Sequence, residues 1–243
     1  MSDQLTNDTK LGLKWIYLAW VGIAFASLVI GVISGIVQGP PEPVVAQWGI
    51  SNFSVFAIAL YSLGSAISVA LLYVLLRRRG LNLTRIGLVG KFTPKAAAFS
   101  IAGLVVAFAL YPVIESILEP FGIPMFWRSG ATSALRLSTT LDLMLTLGFA
   151  VFVGPVAEEI VFRGYMLTAL RERMTRPFSA YMWSAVVFAS AHIFVGPGTI
   201  LFIFFWSFIP AYLFLKCGNL YPAFCFHILN NFVTYVVFPL WIL

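Results

Sequence analysis

A length of 243 residues suits one or two soluble domains, but here 60% of the residues are hydrophobic and 10% charged, against about half and a quarter in an average soluble domain. A mean hydropathy of +0.95 leaves too little polar surface to cover a particle in water. Disorder, coiled coil and collagen are excluded by the same figures. Only Cys217 and Cys225 are present, too few and too far apart for a disulfide or zinc framework. The net charge of +6 is read as basic residues gathered in cytoplasmic loops, not as a nucleic-acid surface.

The predicted class is an all-α polytopic transmembrane bundle of about seven spans, with six and eight as the bounds. Trp15 to Val37 and Phe53 to Leu76 are uncharged runs of 23 and 24 residues, each able to cross about 30 Å of hydrocarbon at about 1.5 Å per residue. A third span covers Ala96 to about Ile114. The fourth runs from near Leu141 to Leu170 with an interruption. Phe178 to Val195, Thr199 to Leu215 and Leu220 to about Phe238 complete the set.

The connections alternate in charge. Lys10 and Lys14 precede the first span, and residues 38–52 carry no Lys or Arg. The next loop holds Arg77, Arg78, Arg79, Arg85, Lys91 and Lys95; then come Arg128 and Arg136 alone, then Arg171, Arg173 and Arg176. The Gly196-Pro197-Gly198 turn has none, and Lys216 precedes the last span. The positive-inside rule therefore predicts a cytoplasmic N-terminus and an external C-terminus in the cell membrane. Glu119 to Thr140 is the longest external connection, with Phe126-Trp127-Arg128 at the interface and Thr139 capping the fourth span three residues ahead of Asp142. No repeat relates the two halves.

Glu158, Glu159 and Arg163 follow fifteen residues without a charge. Each costs about 2.5–3.5 kcal/mol at the centre of a span, so they must be paired, functional or both. Glu159 and Arg163 stand four apart on one face, Glu first, and read as a structural pair. Glu158 points about 100° away and is left for chemistry. Pro155 removes a helix hydrogen bond and is expected to kink or restart the helix just ahead of both carboxylates. The only two histidines, His192 and His227, also fall in predicted spans, the second with Asn231 one turn on. Counting rise from the cytoplasmic ends puts Glu158, His192 and Asn231 about 18–21 Å deep and His227 near 12 Å. Asn230, Ser190 and Ser184 read as glue between helices.

A carboxylate, two imidazoles and a carboxamide, without a Ser or Cys nucleophile beside a base, suit activation of water, with Glu158 as general base and the amide and imidazole donors facing an oxyanion. Two His and a carboxylate could also hold zinc. Three short motifs occur in order on these spans: Glu158-Glu159-x-x-x-Arg163, Phe188-x-x-x-His192 and His227-x-x-x-Asn231. The pattern resembles the CPBP (Abi) family of CAAX proteases and bacteriocin-processing enzymes, over about Pro155 to Asn231.

That resemblance implies an intramembrane endopeptidase of the glutamate type. Glu158 and His192 would activate water, His227 and Asn231 would bind the oxyanion, and Glu159 and Arg163 would support the site. The implied substrate is a membrane-associated protein or peptide, prenylated or of leader type, with the bilayer as the other partner and no nucleic acid. No cofactor is implied; zinc held by Glu158, His192 and His227 is the alternative mechanism. A non-catalytic scaffold or immunity protein is the alternative function, with a transporter or proton relay behind it. The chain divides into a cytoplasmic segment (1–14), N-terminal helices and loops (15–140) and C-terminal catalytic helices (141–243), all in one membrane domain.

Overall fold

The computed structural model describes residues 10–125 and 137–241, and every regular element among them is helical. We label the main helices α1 (Leu13–Val37), α2 (Phe53–Arg78), α3 (Pro94–Phe121), α4 (Thr140–Arg171), α5 (Pro177–Ser190), α6 (Pro197–Cys217) and α7 (Tyr221–Leu240). All but α5 are long and apolar enough to cross a membrane, so the chain is an integral, multi-pass membrane protein. The 14 residues of α5 reach only about 21 Å at 1.5 Å per residue. The Phe126-Trp127-Arg128 segment lies outside the described residues.

The fifth span is therefore shorter than predicted. It stops at Ser190, and Ala191 and His192 turn the chain toward a short 3-10 turn, Ile193–Val195. Thr139 caps α4 as expected: its hydroxyl accepts from the Asp142 N–H, and the Asp142 carboxylate accepts in turn from the Thr139 N–H. The same carboxylate accepts from the backbone N–H and hydroxyl of Ser51, tying the α1–α2 connection to the start of α4.

The molecule has two unlike ends. Among the described residues, every Lys and Arg but Arg163 flanks the ends of helices on one side. There Arg79 donates to the Lys10 carbonyl, Arg173 to the Leu11 carbonyl, and Arg85 pairs with Glu172. On this basic side the α2–α3 connection folds back under the bundle. Ile86 is fully buried, its carbonyl lies close under Gly164 of α4, and the Gly87 carbonyl accepts from the Leu220 N–H at the start of α7. At the far side Gly198 packs on the Pro124 carbonyl.

Small residues let the helices meet closely. A Cβ at Gly64 of α2 would lie 2.8 Å from the Gly22 Cα of α1, and one at Gly154 of α4 would lie 2.7 Å from the Ser62 hydroxyl of α2. The main core cluster joins α4 to α5, α6 and α7 through Phe162, Phe188, Trp206 and Phe226. By contrast α1 packs along α2 and makes no extended contact with α3.

Candidate active site

Pro155 does not break α4. The helix continues through π-helical turns on either side, Thr146–Val153 and Glu159–Leu167, with Gly154–Glu158 between them. The Gly154 N–H reaches back five residues to the Phe149 carbonyl. In this wide register the partner five residues beyond Ala150 is Pro155, which has no N–H. The Ala150 carbonyl instead accepts from Asn231 Nδ2 of α7 at 2.9 Å. The proline thus leaves the helix continuous and frees an acceptor that fixes Asn231.

Glu159 and Arg163 pair as their spacing predicted, Nη1 to Oε1 at 2.9 Å with both side chains fully buried. Arg163 Nη2 also donates to the carbonyl and hydroxyl of Ser207, where α6 is interrupted. The guanidinium lies over the Phe188 ring, Cζ 4.0 Å from its centroid. Phe188 thereby gains a role, as the aromatic floor beneath a buried cation, that its place four residues before His192 could not reveal.

Glu159 has a second partner. The same Oε1 lies 2.8 Å from His227 Nδ1. With a carboxylate as acceptor, Nδ1 carries the proton, and the other ring nitrogen, Nε2, faces Glu158 Oε2 at 3.7 Å. Arg163, Glu159, His227 and Glu158 form one chain of contacts that leads to the cavity. The rise count set His227 apart in depth from Glu158, yet the two side chains are in contact; Leu220, at the start of α7, is fully buried and donates its N–H to the Gly87 carbonyl.

His192 lies just past the end of α5. Its Nδ1 donates to the Phe188 carbonyl at 2.9 Å, satisfying one of the carbonyls that a helix C-terminus leaves open, and Nε2 becomes the unprotonated nitrogen. Its ring is 4.8 Å from Phe188 and 6.0 Å from Tyr61, between centroids. Asn230 and Ser190 link helices as expected. Asn230 accepts from Trp206 Nε1 of α6 and donates to Asn231 Oδ1, while Ser190 accepts from Trp20 Nε1 of α1. Ser184 does not: its hydroxyl is buried without a hydrogen-bond partner among the described residues.

Glu158, His192, His227 and Asn231 all line one cavity of about 960 Å³. Its remaining wall is mostly apolar and includes Tyr61 of α2, which interacts with Glu158 and Tyr235. Tyr61 escaped the sequence reading because an uncharged aromatic in an apolar span gives no sign of cost. Among the described residues no three His, Cys, Asp or Glu side chains gather as a metal site. Of the zinc set considered from the sequence, both imidazoles already use Nδ1.

Residues 140–233 match the family model described as type II CAAX prenyl endopeptidase Rce1-like. The match contains every residue of the three motifs. No curated protein and no solved structure matches the chain.

Proposed function

As a member of the CAAX protease (CPBP) family through residues 140–233, the protein is, we propose, an intramembrane endopeptidase in which Glu158 activates water against a peptide bond of a membrane-associated polypeptide. The observation that carries this reading is the clasp on His227, with Glu159 at 2.8 Å on one ring nitrogen and Glu158 at 3.7 Å from the other. A buried carboxylate that orients an imidazole beside a second carboxylate, at the edge of a cavity, has a use in acid–base chemistry that a bundle-locking network lacks.

In the proposed sequence, Glu158 removes a proton from a water while His192 Nε2 accepts a hydrogen bond from the same water. The water oxygen attacks the scissile carbonyl carbon. His227, its ring held at Nδ1 by Glu159, turns Nε2 toward the new oxyanion as a hydrogen-bond donor. Asn231 Nδ2 has one hydrogen on Ala150 and the second available for the same oxygen. As the tetrahedral adduct collapses, the proton on Glu158 passes to the leaving nitrogen and the C–N bond breaks, giving a carboxylic acid and an amine. The basic side of the molecule is cytoplasmic, which sets the N-terminus inside and the C-terminus outside.

The test compares peptide termini in membranes of cells carrying wild type, Glu158→Gln or no protein, with the variant's fold checked by yield and melting in detergent. Termini that appear only with wild type are expected, as is full activity after washing with chelator. Identical termini in all three, with a folded variant that keeps its cellular phenotype, would overturn the peptidase in favour of a scaffold. Stoichiometric zinc tied to activity would replace the glutamate mechanism.

A further inference from the structure

The side-chain amide of Asn231 has two ends of nearly the same shape and opposite chemistry: Nδ2 donates and Oδ1 accepts. Only one of its two orientations serves an oxyanion. The Ala150 carbonyl holds Nδ2 on one side, and the other side is held through Trp206 and Asn230, neither of them a named position of the three motifs. Trp206 Nε1 donates to Asn230 Oδ1 at 3.1 Å, and Asn230 Nδ2 donates to Asn231 Oδ1 at 3.2 Å. With the bond of 2.9 Å from Asn231 Nδ2 to Ala150, one relay starts on α6, crosses α7 and ends on α4.

The polarity of this relay is fixed by its two ends. An indole N–H can only donate and a backbone carbonyl can only accept, so both amides between them must point the same way. Turning either one over breaks two hydrogen bonds and sets donor against donor and acceptor against acceptor.

Trp206 also touches the other oxyanion donor. It is buried and ends the first part of α6, next to Ser207, whose carbonyl and hydroxyl hold Arg163. Its ring meets the His227 ring edge-to-face at 4.7 Å between centroids, stacks on Phe188 at 5.8 Å and packs on Phe226 at 5.0 Å. These close contacts leave the indole little room to swing its N–H away from Asn230. His227 and Asn231, one turn apart on α7, are thus both steadied by one side chain of α6, the first by ring contact and the second through Asn230.

We propose, resting on the peptidase reading, that Trp206 and Asn230 are positioning residues for the oxyanion site. They hold the Asn231 amide so that the second hydrogen of Nδ2 meets the charge developing on the scissile carbonyl oxygen. That charge exists in the tetrahedral adduct and not in the bound peptide, so the relay acts on kcat and leaves KM nearly unchanged. A mere link between α6 and α7 would act on stability alone.

The test uses the full chain in detergent and a peptide spanning a Glu158-dependent cut found in the comparison of termini, with melting followed for every variant. Asn231→Ala removes a donor outright and is expected to lower kcat by about 10²–10³-fold. Asn230→Ala leaves the donor unguided and is expected to lower kcat by about tenfold, with KM within about twofold of wild type. On the Asn231→Ala background the same change should cost nothing further, because no amide is left to orient. Trp206→Phe keeps a ring beside His227 and loses the N–H. It should also lower kcat at constant KM, and its loss should shrink on the Asn231→Ala background, so it carries the same comparison if Asn230→Ala does not fold. An unchanged kcat in a folded variant, a loss confined to KM or to melting, or losses that multiply in full in the double variants overturn the proposal. If wild type yields no Glu158-dependent product, the peptidase reading itself has failed and the oxyanion role falls with it. If the product forms and the losses multiply, only the relay has failed.

Discussion

The two halves of the bundle solve opposite problems. On the basic side of Glu158 a full ion pair is buried with its neighbours close-packed around it: Arg163 has Glu159, Ser207 and the face of Phe188. On the other side the walls are mostly apolar around a cavity, and the polar groups gathered beside Glu158 include the two histidines and Asn231, with Tyr61 and Tyr235. A dry, fixed layer of charge can hold a histidine in one orientation only if no water competes for it, and a reaction that consumes water needs space beside it. His227 belongs to both halves, one nitrogen in each. The comparison suggests that the ion pair is retained for what it orients more than for its own stability.

The largest effect should come from removing the group at the boundary. Glu158→Gln keeps the shape but cannot take a proton, and kcat is expected to fall by about 10²–10⁴-fold with melting in detergent little changed. Full activity in this variant would undo the division of labour between the halves. Next comes the closed half. Arg163→Ala leaves Glu159 buried beside His227 without its cation, which should destabilise the protein by about 3–5 kcal/mol, read as a lowered melting temperature or loss of folded yield. A variant that melts like wild type would mean that water enters this layer and that the two halves are less distinct than their packing indicates.

How much of this was legible in the sequence follows from what costs energy in a membrane. Charges and imidazoles stand out against apolar spans, so Glu158, Glu159, Arg163, His192, His227 and Asn231 could be picked out and Glu159 paired with Arg163 by spacing. The contact of Glu159 with His227 was not legible, because they are 68 residues apart and only the bundle brings them together. Pro155 was legible as a disturbance but not as one absorbed by π turns, since a missing N–H can be met by a kink, a break or a widened register. That widened register is testable. Pro155→Ala restores an N–H that can compete with Asn231 for the Ala150 carbonyl. Stability should hold or rise slightly, while kcat falls about tenfold, equivalent to about 1.4 kcal/mol in the barrier. An unchanged kcat would show that Asn231 is positioned without Ala150.

The smallest expected effect bears on whether the N-terminal helices take part in the chemistry or only enclose it. Outside the family match, Tyr61 and Tyr235 both interact with Glu158, and of the two Tyr61 lies on an N-terminal helix, with its ring also facing His192. Tyr61→Phe removes one hydroxyl and keeps the ring, so the cavity wall and the packing of α2 on α4 should survive. A hydrogen bond of this kind contributes about 0.5–1.5 kcal/mol net, which corresponds to a loss of about two- to tenfold if it acts on the transition state. If Tyr61 orients Glu158, that loss falls on kcat, and KM and melting stay near wild type. If Tyr61 only shapes the cavity, Tyr61→Phe is silent, and Tyr61→Ala, which opens the wall, raises KM instead. The first outcome would extend the site beyond residues 140–233, to a helix whose only qualification in the sequence was that it could cross a membrane.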